Sequence, residues 1–472
     1  MLKWIFPLVI LAAPAAAADH RPKNVIVMIA DGAGYNMLAS TRYWLGARLV
    51  ADGPEWQRAA MATYALRRDG KGAGQDDSLI YTSEKAWDTR PMAGQSKCAD
   101  EYAAGYVGYE WHRCSYPDSA GTMSAMMTGV RTYNGAVNVD GEQQAVTSLA
   151  ETAKASGRMT GTISSVPFNH ATPASGGGAH NIARGNYNEI AHEMLTSDTL
   201  DLIAGGGSPD HDHRAQLVAA DADDDRRYEY ISKEDWAAVK DGSFGWKLVQ
   251  DRAEVQDMST FGGDERIMVV AKVMATLQAR RWTDPELDRA TYAPGQTGLI
   301  ETVPTLTELT QGALTHLDRQ QGFFLSIEGG AVDWSMHANI LGSAIEEYVD
   351  FNNAVRVVSA WLDDPATLAN WDNTLVIVTA DHDHMLFGPD ADHPYQPVTN
   401  RGAGALPGHK WWSGSHSSQL VPFFVRGKGA EQLIEQADEV DVVRSRDGQT
   451  RGRGRYLHQN EMGRTLMGLL GR

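Results

Sequence analysis

The 472-residue chain is long enough for one large domain, and its 42% hydrophobic residues can build a sizeable core, which excludes a disordered chain. Acidic residues number 60 against 42 Lys plus Arg, a net charge of −18 that argues against nonspecific binding to nucleic acid or an anionic membrane. Only two cysteines occur, Cys98 and Cys114.

The first residues, "MLKWIFPLVILAAPAAAADH", combine a Lys, an apolar run and small residues up to Ala18. That is the pattern of a secretory signal over 1–18, with the mature chain, 19–472, periplasmic or secreted. In an oxidising compartment, Cys98 and Cys114 are expected to form a disulfide closing a short loop.

Continuous apolar runs recur along the chain: "NVIVMIA", "MTGTISSV", "LDLIAGGG", "FFLSIEGG", "TLVIVTA" and "VPFFVRG". Unbroken rather than alternating hydrophobicity predicts strands buried on both faces. Between them, "AVTSLAETAKASG", "ERIMVVAKVMATLQARRW" and "SAIEEYVDFNNAVRVVSAWL" read as helices. The alternation predicts an α/β fold, a mostly parallel central sheet flanked by helices. Stretches at about 51–95, 210–263 and 388–415 are rich in Gly, Asp or Pro and read as loop insertions, candidates for lids or dimer contacts.

In such sheets ligands gather beyond the carboxyl ends of the strands. Asp31 follows the first run; Glu328, Asp333 and His337 follow "FFLSI"; Asp381, His382, Asp383 and His384 follow "TLVIVTA". Each residue alone has an ordinary reading as a turn, a solvated charge or a satisfied histidine. Their joint occurrence at successive strand ends points to a metal centre, because such a site collects its ligands from several segments. In "YPDSAGTMSAMMTGV", Asp118 suits a helix N-cap, and Ser119 stands where free N–H groups would favour a bound phosphate. "NHATPASGGGAHNIARG" adds His170, Thr172 and Arg184, whose planar fork can hold two phosphate oxygens.

Taken together, "ADGAG", "DSAGT", "TYNGAVNVD", "NHATP", "EGG" with Asp333 and His337, "TADHDH" and "GSHSSQL" resemble the motifs of the alkaline phosphatases, in the family's order from Asp31 to His416. The resemblance implies the family's three-layer sandwich, with Ser119 as nucleophile and Arg184 as the phosphate-binding arginine. It implies one zinc held by Asp333, His337 and His416. A second would be held by Asp31, Asp381 and His382, with Ser119 completing it. A third ion, magnesium in most relatives, would take Asp31, His170, Thr172 and Glu328. His384 would orient a zinc carboxylate such as Asp333, and Asp383 would act as a spacer. His416 is preferred to His409 because it precedes "SSQLVPFFV". His170 and Trp334 stand where the best-known members carry Asp and Lys, a pairing shared by other bacterial members. The expected substrates are small phosphate monoesters, with no specific nucleic-acid or membrane partner and with homodimerisation open. The alternatives are a phosphodiesterase or nucleotide pyrophosphatase on the same metal core, or a non-catalytic periplasmic binder of zinc or phosphate.

Overall fold

The computed structural model describes residues 21–69, 72–88, 109–114, 116–219, 225–262, 265–282, 288–390, 396–444 and 450–471. The expected signal segment and Cys98 lie outside the described residues, as does the side chain of Cys114, so the expected disulfide does too.

Among the described residues fifteen strands occur in chain order. They are β1 (Asn24–Ile29), β2 (Gln57–Ala62), β3 (Arg67–Asp69), β4 (Gly72–Gly74), β5 (Met159–Pro167), β6 (Leu202–Gly206), β7 (Trp246–Val249) and β8 (Arg266–Val270). They continue as β9 (Phe323–Glu328), β10 (Thr374–Thr379), β11 (Asp383–Phe387), β12 (Lys410–Ser417), β13 (Val421–Gly427), β14 (Glu439–Arg444) and β15 (Thr450–His458). Eleven of them form one sheet in the order β14-β15-β2-β13-β10-β1-β9-β5-β6-β8-β7. From β10 through β1, β9, β5, β6 and β8 to β7 every pairing is parallel. β13 runs antiparallel to both β10 and β2.

Each predicted strand is present, and the reason is visible in their burial. Every residue of β1, β5, β9 and β10 is buried, so apolar side chains are required on both faces. Two predicted helices also appear, as Leu149–Ala155 and Leu341–Asp363. The first starts with a capping box in which Ser148 and Glu151 satisfy each other's backbone N–H.

The third predicted helix, over "ERIMVVAKVMATLQARRW", is replaced by β8 and an irregular segment. Its "IMVV" core pairs in parallel with β6 and β7, and burial between those neighbours overrides the helical spacing of the apolar residues. The stretch at 51–95 is likewise more than an insertion, because it supplies β2, an interior strand between β13 and β15. The 210–263 stretch supplies the edge strand β7 and the helix Lys233–Asp241.

A cavity of about 470 Å³ lies between the N-terminal turns of the Leu306–Leu317 helix and the Leu341–Asp363 helix, with Glu347 in its wall. Glu347 is 5% exposed, and its nearest cation is Arg281 at 3.8 Å. Burial pushes its carboxyl up to about 8, only partly offset by Arg281. A carboxyl whose folded pKa lies above its unfolded value loses stability as pH rises between the two, here from the ordinary carboxylate range to about 8. Glu347→Gln should therefore stabilise the fold at pH 9 by an amount on the order of 2 kcal/mol and leave it unchanged near pH 4. Urea unfolding at the two pH values checks this; equal midpoint shifts at both would contradict it.

Candidate active site

The sheet brings the acidic strand ends together by register. Ile29 of β1 lies opposite Thr379 of β10 and Glu328 of β9, so Asp31, Asp381 and Glu328 emerge at one edge. After β1 the chain turns at Gly32, whose φ is +71° and whose missing Cβ would lie 2.7 Å from the His384 ring. The Gly32 N–H donates to Asp381 Oδ1 at 2.9 Å, tying the first strand end to the third. Because β13 is reversed, its beginning faces the same edge, and the β11–β12 ribbon before it sets His416 opposite His384.

The first group of ligand atoms centres on Asp333. Asp333 and His337 sit on one side of the short helix Ala331–His337, and His337 Nε2 is 3.3 Å from Asp333 Oδ2. His416 Nε2 lies 3.5 Å from Asp333 Oδ1 and 3.2 Å from His337 Nε2. The Nδ1 of His416 donates to the Pro117 carbonyl at 2.8 Å, and that of His337 donates to the Gly414 carbonyl. Both Nδ1 protons are thus committed, and the two Nε2 atoms face each other across a gap that only a proton or a cation would relieve. His384 Nε2 meets Asp333 Oδ1 at 2.6 Å, and His384 joins Asp333, His382 and His416 in a group able to hold a metal. Its histidine partners and Asp333 hold one another in register: burial opposes ionisation of Asp333, but His337 foremost, then His384 and His416, hold it well below the usual carboxylate range.

The second group joins Asp31, Asp381 and His382, with His382 Nε2 at 3.3 Å from Asp31 Oδ1 and 3.5 Å from Asp381 Oδ2. The His382 ring stacks on His416 with centroids 3.5 Å apart, so the two groups adjoin. Asp31 and Asp381 are 0% exposed, yet Oδ2 of each lacks a hydrogen-bond donor. Burial first, then the neighbouring carboxylates Asp381, Asp333 and Glu328, push the Asp31 carboxyl well above its ordinary value. Buried anionic oxygens left without donors are costly, and a divalent cation is the partner that reverses that cost.

Ser119 begins the buried helix Ser119–Thr128, and its Oγ is 3.2 Å from His382 Nε2 and 3.5 Å from Asp31 Oδ1. Asp118 caps that helix: its Oδ1 accepts from Gly121 N at 2.9 Å and from Gly135 N at 3.0 Å, while its Oδ2 accepts from Arg184 Nη1 at 3.0 Å. Burial disfavours the Arg184 charge, but Asp118 more than restores it and holds the guanidinium's pKa above its usual value. Asp118→Ala should cost about 1 kcal/mol through the lost cap and also free Arg184, raising the KM for a phosphate ester. Urea unfolding with steady-state kinetics tests both; a variant unchanged in stability and KM would remove Asp118 from this role.

The third set is only partly assembled. Glu328 is fully buried, accepts from Ser164 Oγ, and leaves Oε1 without a donor, as Thr172 Oγ1 is left without a partner. His170 instead presents Nε2 to Arg184 Nη2 at 3.3 Å, and burial and then Arg184 lower its pKa to about 3. Among the described residues the groups able to hold a metal are Asp333 with His382, His384 and His416, and Asp31 with Asp381 and His382. They include His384 but not His170, Glu328 or His337, although His337 Nε2 lies within 3.3 Å of both Asp333 and His416. Trp334 packs edge-on against His170 with centroids 5.4 Å apart, and the Arg280 guanidinium lies 4.9 Å from the Trp334 ring centre.

Asp383 does more than space its neighbours. Its buried carboxyl accepts from Ser417 Oγ at 2.5 Å, and its Oδ1 lies 1.6 Å from where a Cβ on Gly34 would stand. It thereby locks the β11–β12 ribbon to the turn after Asp31. His409 meets the Pro407 carbonyl at 3.0 Å and stays outside both groups, whereas His416 belongs to the Asp333 group. The strand signal missed Ser164, which lies within "TISSV" and bonds Glu328, and Tyr187, stacked on His170 at 6.1 Å.

With this geometry in place the comparisons are specific. The family model described as alkaline phosphatase matches residues 59–445. Asp31 precedes that span, and the fold brings it in. The alkaline phosphatase of Escherichia fergusonii is 26% identical over 466 residues, covering 91% of this chain and 86% of that protein. Alkaline phosphatase 4 of Bacillus subtilis is 28% identical over 272 residues, 56% of this chain, and the match spans about half, 49%, of that protein's length. The structure of alkaline phosphatase from the Antarctic bacterium TAB5 shares the fold, with a TM-score of 0.60 at 21% identity, covering 95% of this chain and 98% of that one. A His-to-Asp mutant of the TAB5 enzyme has a structure with Mg bound in the M3 site. The chain belongs to the alkaline phosphatase family, and with it to a superfamily of phosphatases.

Proposed function

We propose that the chain hydrolyses small phosphate monoesters through a phosphoserine on Ser119. The observation that carries this is the place of Ser119 Oγ, at the start of a buried helix and within 3.5 Å of both His382 and Asp31. Asp333, His337 and His416 would hold one zinc, and Asp31, Asp381 and His382 a second. Imidazole and carboxylate donors suit zinc, whereas the oxygens of Asp31, Thr172 and Glu328 suit magnesium as a third ion, with His170 beside them. When bound, the zinc ions supply Lewis acidity to the entering and leaving oxygens of the phosphoryl group.

The chain's own residues do the rest. Arg184 grips two non-bridging oxygens in bidentate fashion while Asp118 fixes its plane. The free N–H groups at the start of the Ser119–Thr128 helix add positive potential toward the same anion. Ser119 Oγ forms a bond to phosphorus as the ester oxygen leaves; water then attacks that phosphorus, Ser119 departs and inorganic phosphate is released. These contacts grip the phosphate group, and broad monoester use is what the family resemblance implies. The signal-like pattern over 1–18 supports a periplasmic or secreted location. Among the described residues no helix is long and apolar enough to cross a membrane.

Assay of p-nitrophenyl phosphate and bis(p-nitrophenyl) phosphate on zinc-loaded enzyme tests the proposal. Monoester turnover should exceed diester turnover by orders of magnitude, and chelation should abolish it until zinc is restored. A preference for the diester, or unchanged turnover in protein shown metal-free by elemental analysis, would overturn it.

A further inference from the structure

A second basic site lies away from the ligand groups. A cavity of about 320 Å³ is lined by Arg42, Arg58, Arg453 and Arg455, with Asp52 as its one carboxylate. Tyr35, Leu38, Phe424 and Pro422 supply an apolar floor. The four arginines come from distant parts of the chain, the first helix, β2 and β15, so the fold rather than a local charge run assembles them.

Their partners leave most of the charge uncompensated. Arg42 pairs with Asp52 at 3.2 Å. Arg58 spends Nη2 on the carbonyls of Asp52 and Gly53, the latter at 3.1 Å, and Arg455 spends Nε on the Ala437 carbonyl at 2.7 Å. Carbonyls orient a guanidinium without neutralising it. Arg453 lies over the Tyr35 ring at 4.1 Å, and its Nε is buried with no hydrogen-bond partner. Arg58 and Arg455, neither paired with a carboxylate, thus face one cavity together with Arg453, whose charge also acts on the buried Asp383 carboxyl, in a chain whose net charge is −18. Like charges held together raise the energy of the fold, and a polyvalent oxyanion is the ligand that lowers it. Guanidinium forks match the several oxygens of phosphate, where a single carboxylate would satisfy only one of them.

We infer that this cavity, lined by Arg42, Arg58, Arg453 and Arg455, is a second binding site for a phosphate group, separate from the Ser119 centre. The phosphate group is carried either by inorganic phosphate or by a small organic phosphate whose body rests on Leu38 and Phe424. None of the lining residues belongs to the ligand groups around Asp31 and Asp333.

Equilibrium dialysis of the metal-loaded enzyme against labelled inorganic phosphate tests the inference. The double variant Arg58→Ser with Arg455→Ser, both at exposed positions, should bind one phosphate fewer per chain than the wild type. Its turnover of p-nitrophenyl phosphate should stay unchanged. Arg453→Gln should weaken the same class of binding about tenfold or more, the effect of one lost charge-assisted contact. Phenylphosphonate, run in parallel, separates the two sources: tighter binding than phosphate at this class identifies an organic phosphate, weaker binding identifies the free ion. Equal phosphate numbers in the wild type and the double variant would overturn the inference. That outcome leaves the role of Ser119 untouched, since it rests on turnover and phosphoserine formation.

Discussion

Ser119→Ala is expected to lower monoester turnover by about three orders of magnitude or more and to abolish covalent phosphate, while metal content is retained. The first effect follows from chemistry: without Oγ no phosphoserine forms, and only direct attack by water on a held phosphate remains. The second follows from geometry. Asp31, Asp381 and His382 close the second group without Ser119, and the Asp333 group meets Ser119 through His382, which both groups share. The helix keeps its cap, because Asp118 Oδ1 still receives the Gly121 N–H. Acid quenching with a labelled monoester, together with elemental analysis, reads both effects. Trapped phosphate on the variant would mean another nucleophile, and loss of metal would mean that Ser119 serves chiefly as a ligand.

Much of this centre was legible because buried parallel strands write a simple code. "NVIVMIA", "FFLSIEGG" and "TLVIVTA" are apolar on both faces, and the polar residue after each run stands at the same sheet edge. Asp31, Glu328 and Asp381 could therefore be grouped before any coordinates. Where burial is one-sided or the chain is irregular, the code fails. The residues of β8 mimic a helix because "IMVVAKVMATL" places apolar groups at helical spacing, and only the neighbours β6 and β7 decide the matter. β14 and β15 form the far edge of the sheet and carry exposed Arg and Gly rather than apolar runs, so they left no signal and placed Arg453 and Arg455 without warning. Asp383 read as a spacer because its partners, Gly34 and Ser417, are distant in sequence. His170 read as a metal ligand by resemblance alone, and the contact that defines it in the structure is with Arg184.

Two histidines two residues apart should behave differently when removed, and the contrast tests the division between ligand and support. His382 belongs to both metal-capable groups, with Nε2 within 3.5 Å of Asp31 and Asp381, and its ring stacks on His416. His382→Ala leaves two carboxylates, which hold zinc poorly without a nitrogen donor, so zinc should fall from two per chain to one. Turnover should drop by about three orders of magnitude, because the serine oxygen would lose the cation that favours its ionised form. His384 touches Asp333 at 2.6 Å, and burial holds its pKa down at about 3, so the neutral imidazole acts by donating an N–H hydrogen bond to that carboxylate. His384→Ala should weaken zinc only 10- to 100-fold, roughly the cost of losing an orienting contact, and excess zinc should restore turnover. Zinc titration with a competing chelator, followed by assay at saturating metal, distinguishes the two. Rescue of His382→Ala by zinc, together with two ions bound, would show that the second ion is held without it and would move the serine's activation to other residues.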